Sequence, residues 1–336
     1  MVVIGKQSHR YEYVDVAKGI AIIGVYFGHH ALLPNLLTDW FWSFHMPLFF
    51  FITGLFSRKL ITQETHEVIK SGIKKLVLPF LLTETFLTIA LLIMLHKISV
   101  LMNPVEFSHY LYNAFIIENH PIWFLLALFY RRCIISFIYS VSKTLKTSYL
   151  PYLRLIIVVI LFLVGWKSGA FLIESKLTDY GCLCKGLLAP IYIYIGIVVQ
   201  RLFFRIRITR YMIYSVCAII LLFAYKFPFN MYYFDYPLGV LNIMTSLIIC
   251  ISLLIILRKY IKLDNFSYIY KFLQFVGKNT LFILCAHTVE LILKVYRFIP
   301  FDNDKIAHII IFILILCSIL IFRKIPIINR IYQLSK

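Results

Sequence analysis

Apolar runs of helical length, separated by short polar breaks, recur from residue 14 to residue 322. A helix needs about 20 mainly apolar residues to cross the hydrocarbon of a bilayer. The runs and their breakers predict ten spans, at about 14–33, 42–57, 76–95, 121–141, 150–166, 186–204, 211–227, 236–257, 272–294 and 306–322. The third connection, about 96–120, contains Pro104, Glu106 and Glu118 and has room for a surface helix. No internal repeat, low-complexity tract or long linker divides the chain, so residues 1–336 read as one membrane domain. The expected fold class is all-α, a polytopic membrane protein of about ten transmembrane helices.

Composition agrees with that pattern. Of 336 residues 61% are hydrophobic and 15% charged, and the mean hydropathy is +0.87. A soluble domain of this size has too little interior to hide so much apolar surface. The net charge of +19, from 34 basic and 15 acidic residues, would suit a nucleic-acid partner in a soluble protein. Here the basic residues gather in alternate loops, 26 on the side of Lys6, Arg10, Arg58 and Lys59 and 8 on the other. That asymmetry is the orientation signal of a membrane protein, and it predicts N-in, C-in with an even number of spans. Lys6 and Arg10 before an apolar stretch resemble a secretory leader, but His29, His30 and Pro34 end the run where a small-residue cleavage site would stand. The seven cysteines lie mostly inside apolar stretches without zinc or disulfide spacing, and read as small packing residues.

Ionisable residues within spans are costly and therefore mark function by default. The first span, YVDVAKGIAIIGVYFGHH, carries Asp15, Lys18, His29 and His30. Lys18 and His29 are eleven residues apart, which returns to within about 20° of one helix face at a rise of about 16 Å. One stripe thus bears a cation near the cytoplasmic end and an imidazole near the other. The separation is comparable to the pantetheine arm of coenzyme A, phosphates at one end and thioester at the other. Asp15, at i,i+3, is placed to hold the Lys18 ammonium. Taken alone, Asp15 and Lys18 equally fit interface markers, and His29 and His30 fit helix-exit residues.

The second span opens with SFHMPLFFFITG. A short loop around Pro34–Phe41 makes the first two spans an antiparallel hairpin, which brings His45 to the depth of His29. Thr53-Gly54 permits close helix contact, and Phe49, Phe50 and Phe51 are expected to face lipid. Lys70, Lys74 and Lys75 precede the third span, where they satisfy the positive-inside rule and also suit phosphate. Glu84 in the third span and Arg131 and Arg132 in the fourth are further charges, the arginines within snorkelling reach of the inner surface. In the ninth span GKNTLFILCAHTVE sets His287 and Glu290 at the His29 level, and eight of ten histidines fall at or beyond it. No histidine pair has the spacing of a helical metal site, so no metal is expected.

The strings DVAKGIAIIGVYFGHH, SFHMPLFFFITG, HPIWFLLALF and GKNTLFILCAH together resemble the acyltransferase 3 family of membrane acyltransferases, in its fucose 4-O-acetylase-like branch. The resemblance implies ten helices, acetyl-CoA as donor and a carbohydrate hydroxyl, on a glycan or lipid-linked sugar, as acceptor. It implies a multi-pass protein of the plasma (bacterial inner) membrane. The family's arginine, ten residues and histidine look like Lys18 to His29, with lysine in place of arginine. Its basic pattern before span three looks like Lys70, Lys74 and Lys75. On this expectation His29 is the general base, and Lys18, Lys70, Lys74, Lys75, Arg131 and Arg132 meet the donor's phosphates. His45 or Asn119 donates to the oxyanion, while Asp15, Glu84, Trp123, His287 and Glu290 support the site. Transfer of succinyl or another acyl group by the same residues, and export of a polysaccharide or lipid-linked sugar, are the alternatives.

Overall fold

The computed structural model describes residues 11–112, 121–143, 145, 149–175, 181–206, 209, 229–260, 267–298 and 303–334. The helices among them are α1 (Glu12–His29), α2 (Asn35–Trp42), α3 (His45–Leu55), α4 (Arg58–Thr62) and α5 (Thr65–Gly72), then a π-helical turn over Ile73–Val77 leading into α6 (Leu78–Met94). After α7 (Ile98–Met102) and α8 (Pro104–Tyr112) come α9 (Trp123–Ser142), α10 (Leu150–Glu174), α11 (Gly181–Leu188) and α12 (Pro190–Arg205). The chain closes with α13 (Val240–Tyr260), α14 (Ser267–Lys278), α15 (Thr280–Leu293), α16 (Asp304–Phe322) and α17 (Pro326–Tyr332). No strand forms among the described residues, apart from a single bridge between Asn230 and Asp235. The expected span at 211–227 lies outside the described residues.

Among the described residues six helical segments are long and apolar enough to cross a bilayer: Thr65–Met94, Trp123–Ser142, Leu150–Glu174, Leu183–Arg205, Val240–Lys259 and Asp304–Phe322. The pair α14 and α15, bent by 75° at Asn279, passes the same test together and is a seventh if counted as one span. Asn279 Nδ2 donates to the Phe275 carbonyl at 2.8 Å, so a side chain replaces a helix bond lost at the break. The apolar core of α10 is only 22% buried at a mean hydropathy of 2.4. A surface that apolar is compatible with lipid and not with water, which makes this a multi-pass membrane fold.

α1 is the axis of the bundle. Its 18 residues rise about 27 Å, and Glu12, Asp15 and Lys18 make it more polar than its neighbours. Burial supports it instead, with Ala17, Ala21 and Tyr26 at 0% exposure. Two reciprocal glycine contacts fix the elements that carry function. A Cβ on Gly19 would strike the Leu273 carbonyl, and one on Gly277 would strike the Asp15 carbonyl, so α1 and α14 touch backbone to backbone. Gly54 and Gly196 do the same for α3 and α12.

The structure overturns one expectation about α3. Phe50 and Phe51 are fully buried, with Phe50 5.3 Å from Phe124, and Phe49 packs against the core rather than lipid. α3 is enclosed because α1 and α12 cover two of its sides, α12 at glycine-permitted distance. The joint between the first two spans is also more ordered than a loop, since Pro34 caps the helix α2. Among the cysteines, Cys184, Cys250 and Cys285 are buried.

Candidate active site

The stripe on α1 opens into two cavities. Lys18 borders one of about 410 Å³, together with Lys75, Arg132 and Lys278. His29 borders another of about 300 Å³, together with His45, Trp42 and Trp123. Val25 and Met46 wall both, so these two side chains stand where the cavities adjoin. Both volumes lie in the range of small-molecule sites.

The Lys18 cavity is strongly cationic. Lys18 also borders a more open recess of about 510 Å³, shared with Asp15, Thr53, Arg131 and Arg132. Among the described residues five cations therefore line the joined space, against one carboxylate, that of Asp15. Lys18 Nζ lies 3.9 Å from Asp15 Oδ1, with the lysine side chain 29% exposed and the aspartate 3%. Arg131 is buried, its guanidinium donating to Thr53 Oγ1 at 3.0 Å and lying 4.4 Å from the centre of the Phe50 ring. Arg132 reaches Ser71 Oγ at 3.2 Å. Lys75 sits on the π-helical turn, a geometry that re-aims side chains by one extra residue per turn. The turn is braced from the C-terminus by Gln333, whose amide donates to the Lys75 carbonyl at 3.4 Å, and Tyr332 and Gln333 close the cavity.

In the second cavity His29 is exposed to the open space. Its ring centre is 5.5 Å from that of Trp42 and 5.3 Å from that of His287. His45 is buried and its Nδ1 lies 2.6 Å from the Phe41 carbonyl oxygen. A carbonyl only accepts, so Nδ1 carries the proton and Nε2 of the neutral ring is an acceptor. The walls are aromatic, from Trp42, Trp123, Tyr232 and Tyr233. Lys185, only 2% exposed, clamps two of them, with Nζ 3.8 Å from the Tyr232 ring centre and 4.8 Å from that of Trp123. Burial pushes the Tyr232 phenol up, which keeps it a neutral donor. Asn230 supplies an amide whose Oδ1 accepts from the Tyr232 N–H at 2.9 Å, leaving Nδ2 to donate.

Behind His29 stands a third group. Glu290 Oε2 is 2.6 Å from His30 Nε2 and 3.7 Å from His287 Nδ1, and Glu290 Oε1 is 2.9 Å from His308 Nδ1. The rings of His30 and His308 stack at 3.9 Å.

The fold thus brings Lys18, Asp15, Lys75, Arg131 and Arg132 to one end of α1, and His29, His45, Trp123, His287 and Glu290 to the other. Lys70 and Lys74 are exposed and border neither cavity, and Glu84 is buried away from both. Asn119 lies outside the described residues. Sequence reasoning passed over Lys278, Gln333, Trp42, Asn230, Lys185 and His308 as site residues, and singled out His30 without assigning it a role. Lys278 stands in the GKNT string, where a helix break was legible only as a Gly-Lys-Asn cluster.

A family model described as "Acyltransferase domain" matches residues 11–322. No curated protein and no solved structure matches the chain.

Proposed function

Because the chain belongs to this acyltransferase family, we propose that it is a membrane O-acetyltransferase, drawing acetyl-CoA from the cytoplasm and acylating a carbohydrate hydroxyl at the opposite end of α1. The observation that supports this reading most is the pair of adjoining cavities, cationic at Lys18 and imidazole-bearing at His29, with Val25 and Met46 between them. Five clustered cations suit the phosphates of coenzyme A, and arginine guanidinium and lysine ammonium are its natural partners. The pantetheine arm then spans the length of the stripe and sets the thioester beside His29.

The acceptor lies in the aromatic cavity, where Trp42, Trp123 and Tyr232 offer flat apolar faces to sugar C–H groups and Asn230 and the phenols offer hydrogen bonds. The acceptor hydroxyl oxygen attacks the thioester carbonyl carbon as His29 takes its proton. The tetrahedral intermediate collapses, the C–S bond breaks, and the thiolate recovers the proton from the imidazolium as coenzyme A leaves. His45 in its Phe41-bound tautomer presents an acceptor, so it suits orienting a hydroxyl proton. Asn230 Nδ2 suits the developing oxyanion.

The test is radiolabelled acetyl-CoA given to inside-out membrane vesicles, followed by isolation of glycan. Label should enter an ester on glycan with the native chain and fail to do so with His29→Ala at equal protein level. Equal labelling in both would overturn the assignment, and label that appears only with succinyl-CoA would change the donor.

A further inference from the structure

The group formed by His30, His287, Glu290 and His308 has no part in the acyl-transfer scheme, and it comes from three separate elements: the end of α1, α15 and α16. His287 is 0% and Glu290 2% exposed, and the His30 side chain is 3% exposed. Neither ring nitrogen of His287 has a hydrogen-bond partner among the described residues. His30 Nε2 and Glu290 Oε2 approach to 2.6 Å, yet neither has a hydrogen-bond partner of proper alignment among those residues. A buried polar atom without such a partner is costly, so the three that converge on one spot, one each from His30, His287 and Glu290, need a common partner.

The spot has the dimensions of an ion. One ligand atom each from His30, His287 and Glu290 lies within 4.8 Å of the others. A zinc-type ion with bonds of about 2.0–2.2 Å holds tetrahedral donors about 3.3 Å apart. The His30 contact must open and the widest pair close, by roughly an ångström, which side-chain torsions supply. His287 and Glu290 are i,i+3 on α15 and so share a face. Two imidazoles and a carboxylate are the donor set of zinc and its transition-metal neighbours, whereas calcium and magnesium ask for oxygen alone.

His308 completes the arrangement from outside. Its Nδ1 engages the other oxygen of Glu290, so it orients the carboxylate as outer partners of metal ligands do. The Tyr26 hydroxyl donates to the His308 carbonyl at 2.9 Å and ties that support back to α1.

We propose that His30, His287 and Glu290 bind a divalent transition-metal ion of the zinc class, steadied by His308, which clamps α1 to α15 beside the His29 cavity. The site is independent of the acyl-transfer reading. Three protein ligands leave one position for water or another small donor.

The experiment uses the full chain carrying a tag without histidine, purified in detergent, stripped with chelator and titrated with Zn²⁺ and Co²⁺. Zn²⁺ should bind at about one equivalent per chain and raise the unfolding temperature of the stripped protein. Co²⁺ should give the intense visible bands of a four-coordinate site. His287→Ala and Glu290→Gln should lose the bound equivalent and the thermal shift, while the exposed His66→Ala and His109→Ala should keep both. Native protein that binds no stoichiometric ion and shows no thermal shift overturns the proposal, leaving a hydrogen-bonded network only. So does a folded His287→Ala chain with native metal content. The native-chain measurements decide the matter even if the variants do not fold.

Discussion

Replacing Lys18 by methionine keeps the length of the side chain and removes its charge. The ammonium lies 3.9 Å from Asp15 and borders both cationic cavities. At that distance a unit charge pair is worth about 4 kcal/mol at an effective dielectric of 20. The lysine is partly exposed, so solvent screening lowers this, and the net worth of a charge-assisted contact is about 1.5–3 kcal/mol. At about 1.4 kcal/mol per tenfold, Lys18→Met should raise the KM for acetyl-CoA by roughly 10- to 100-fold. Part of that loss is repulsion, because the Asp15 carboxylate then borders the phosphate space without its lysine. Lys18→Met combined with Asp15→Asn should therefore recover several-fold of the KM, although it removes two charges instead of one. The assay is initial-rate acetyl transfer in reconstituted vesicles against acetyl-CoA concentration, for both single variants and the double. An unchanged KM in Lys18→Met refutes the phosphate role, and a double variant no better than Lys18→Met refutes the electrostatic coupling to Asp15.

Three further outcomes follow from the same geometry. Gly277→Ala should destabilise the chain by about 1–3 kcal/mol, read as a lower unfolding temperature in detergent, because the obstructing atom is the Asp15 backbone carbonyl, which cannot rotate away. Asn230→Ala should lower kcat by about 100-fold or more with little change in KM, the signature of a donor that acts mainly on the transition-state oxyanion. Met46→Trp should abolish transfer while coenzyme A binding, measured by calorimetry, weakens less than in Lys18→Met, since the added bulk obstructs the path of the pantetheine arm between the two cavities and leaves the cations in place.

Much of this architecture is legible in hydropathy, because spanning helices must bond their own backbone and wear an apolar surface. The Lys18 and His29 stripe is legible too, since both lie on one helix and 100° per residue places them. Convergence between helices is not. His30, Glu290 and His308 meet only because α1 and α14 close on Gly19 and Gly277 and α16 packs behind them, and no local spacing encodes that meeting. The absence of a helical two-histidine metal spacing accordingly says nothing about ligands drawn from both α1 and α15. The lipid-facing reading of Phe50 and Phe51 fails for a related reason: apolar residues suit lipid and protein interior equally, and only the Gly54 and Gly196 contact shows which surrounds them. Lys70 and Lys74 share their residue type with Lys75, but the π-helical turn aims only Lys75 at the cavity.

The central claim is that an acyl group passes from the Lys18 cavity to the His29 cavity through the chain itself. Proteoliposomes with the purified protein, membrane-impermeant labelled acetyl-CoA outside and a sugar acceptor trapped inside test it directly. The trapped acceptor should gain label in vesicles whose Lys18 end faces outward, and lose that gain with Met46→Trp. Label confined to acceptor placed on the donor's own side would contradict passage across the membrane.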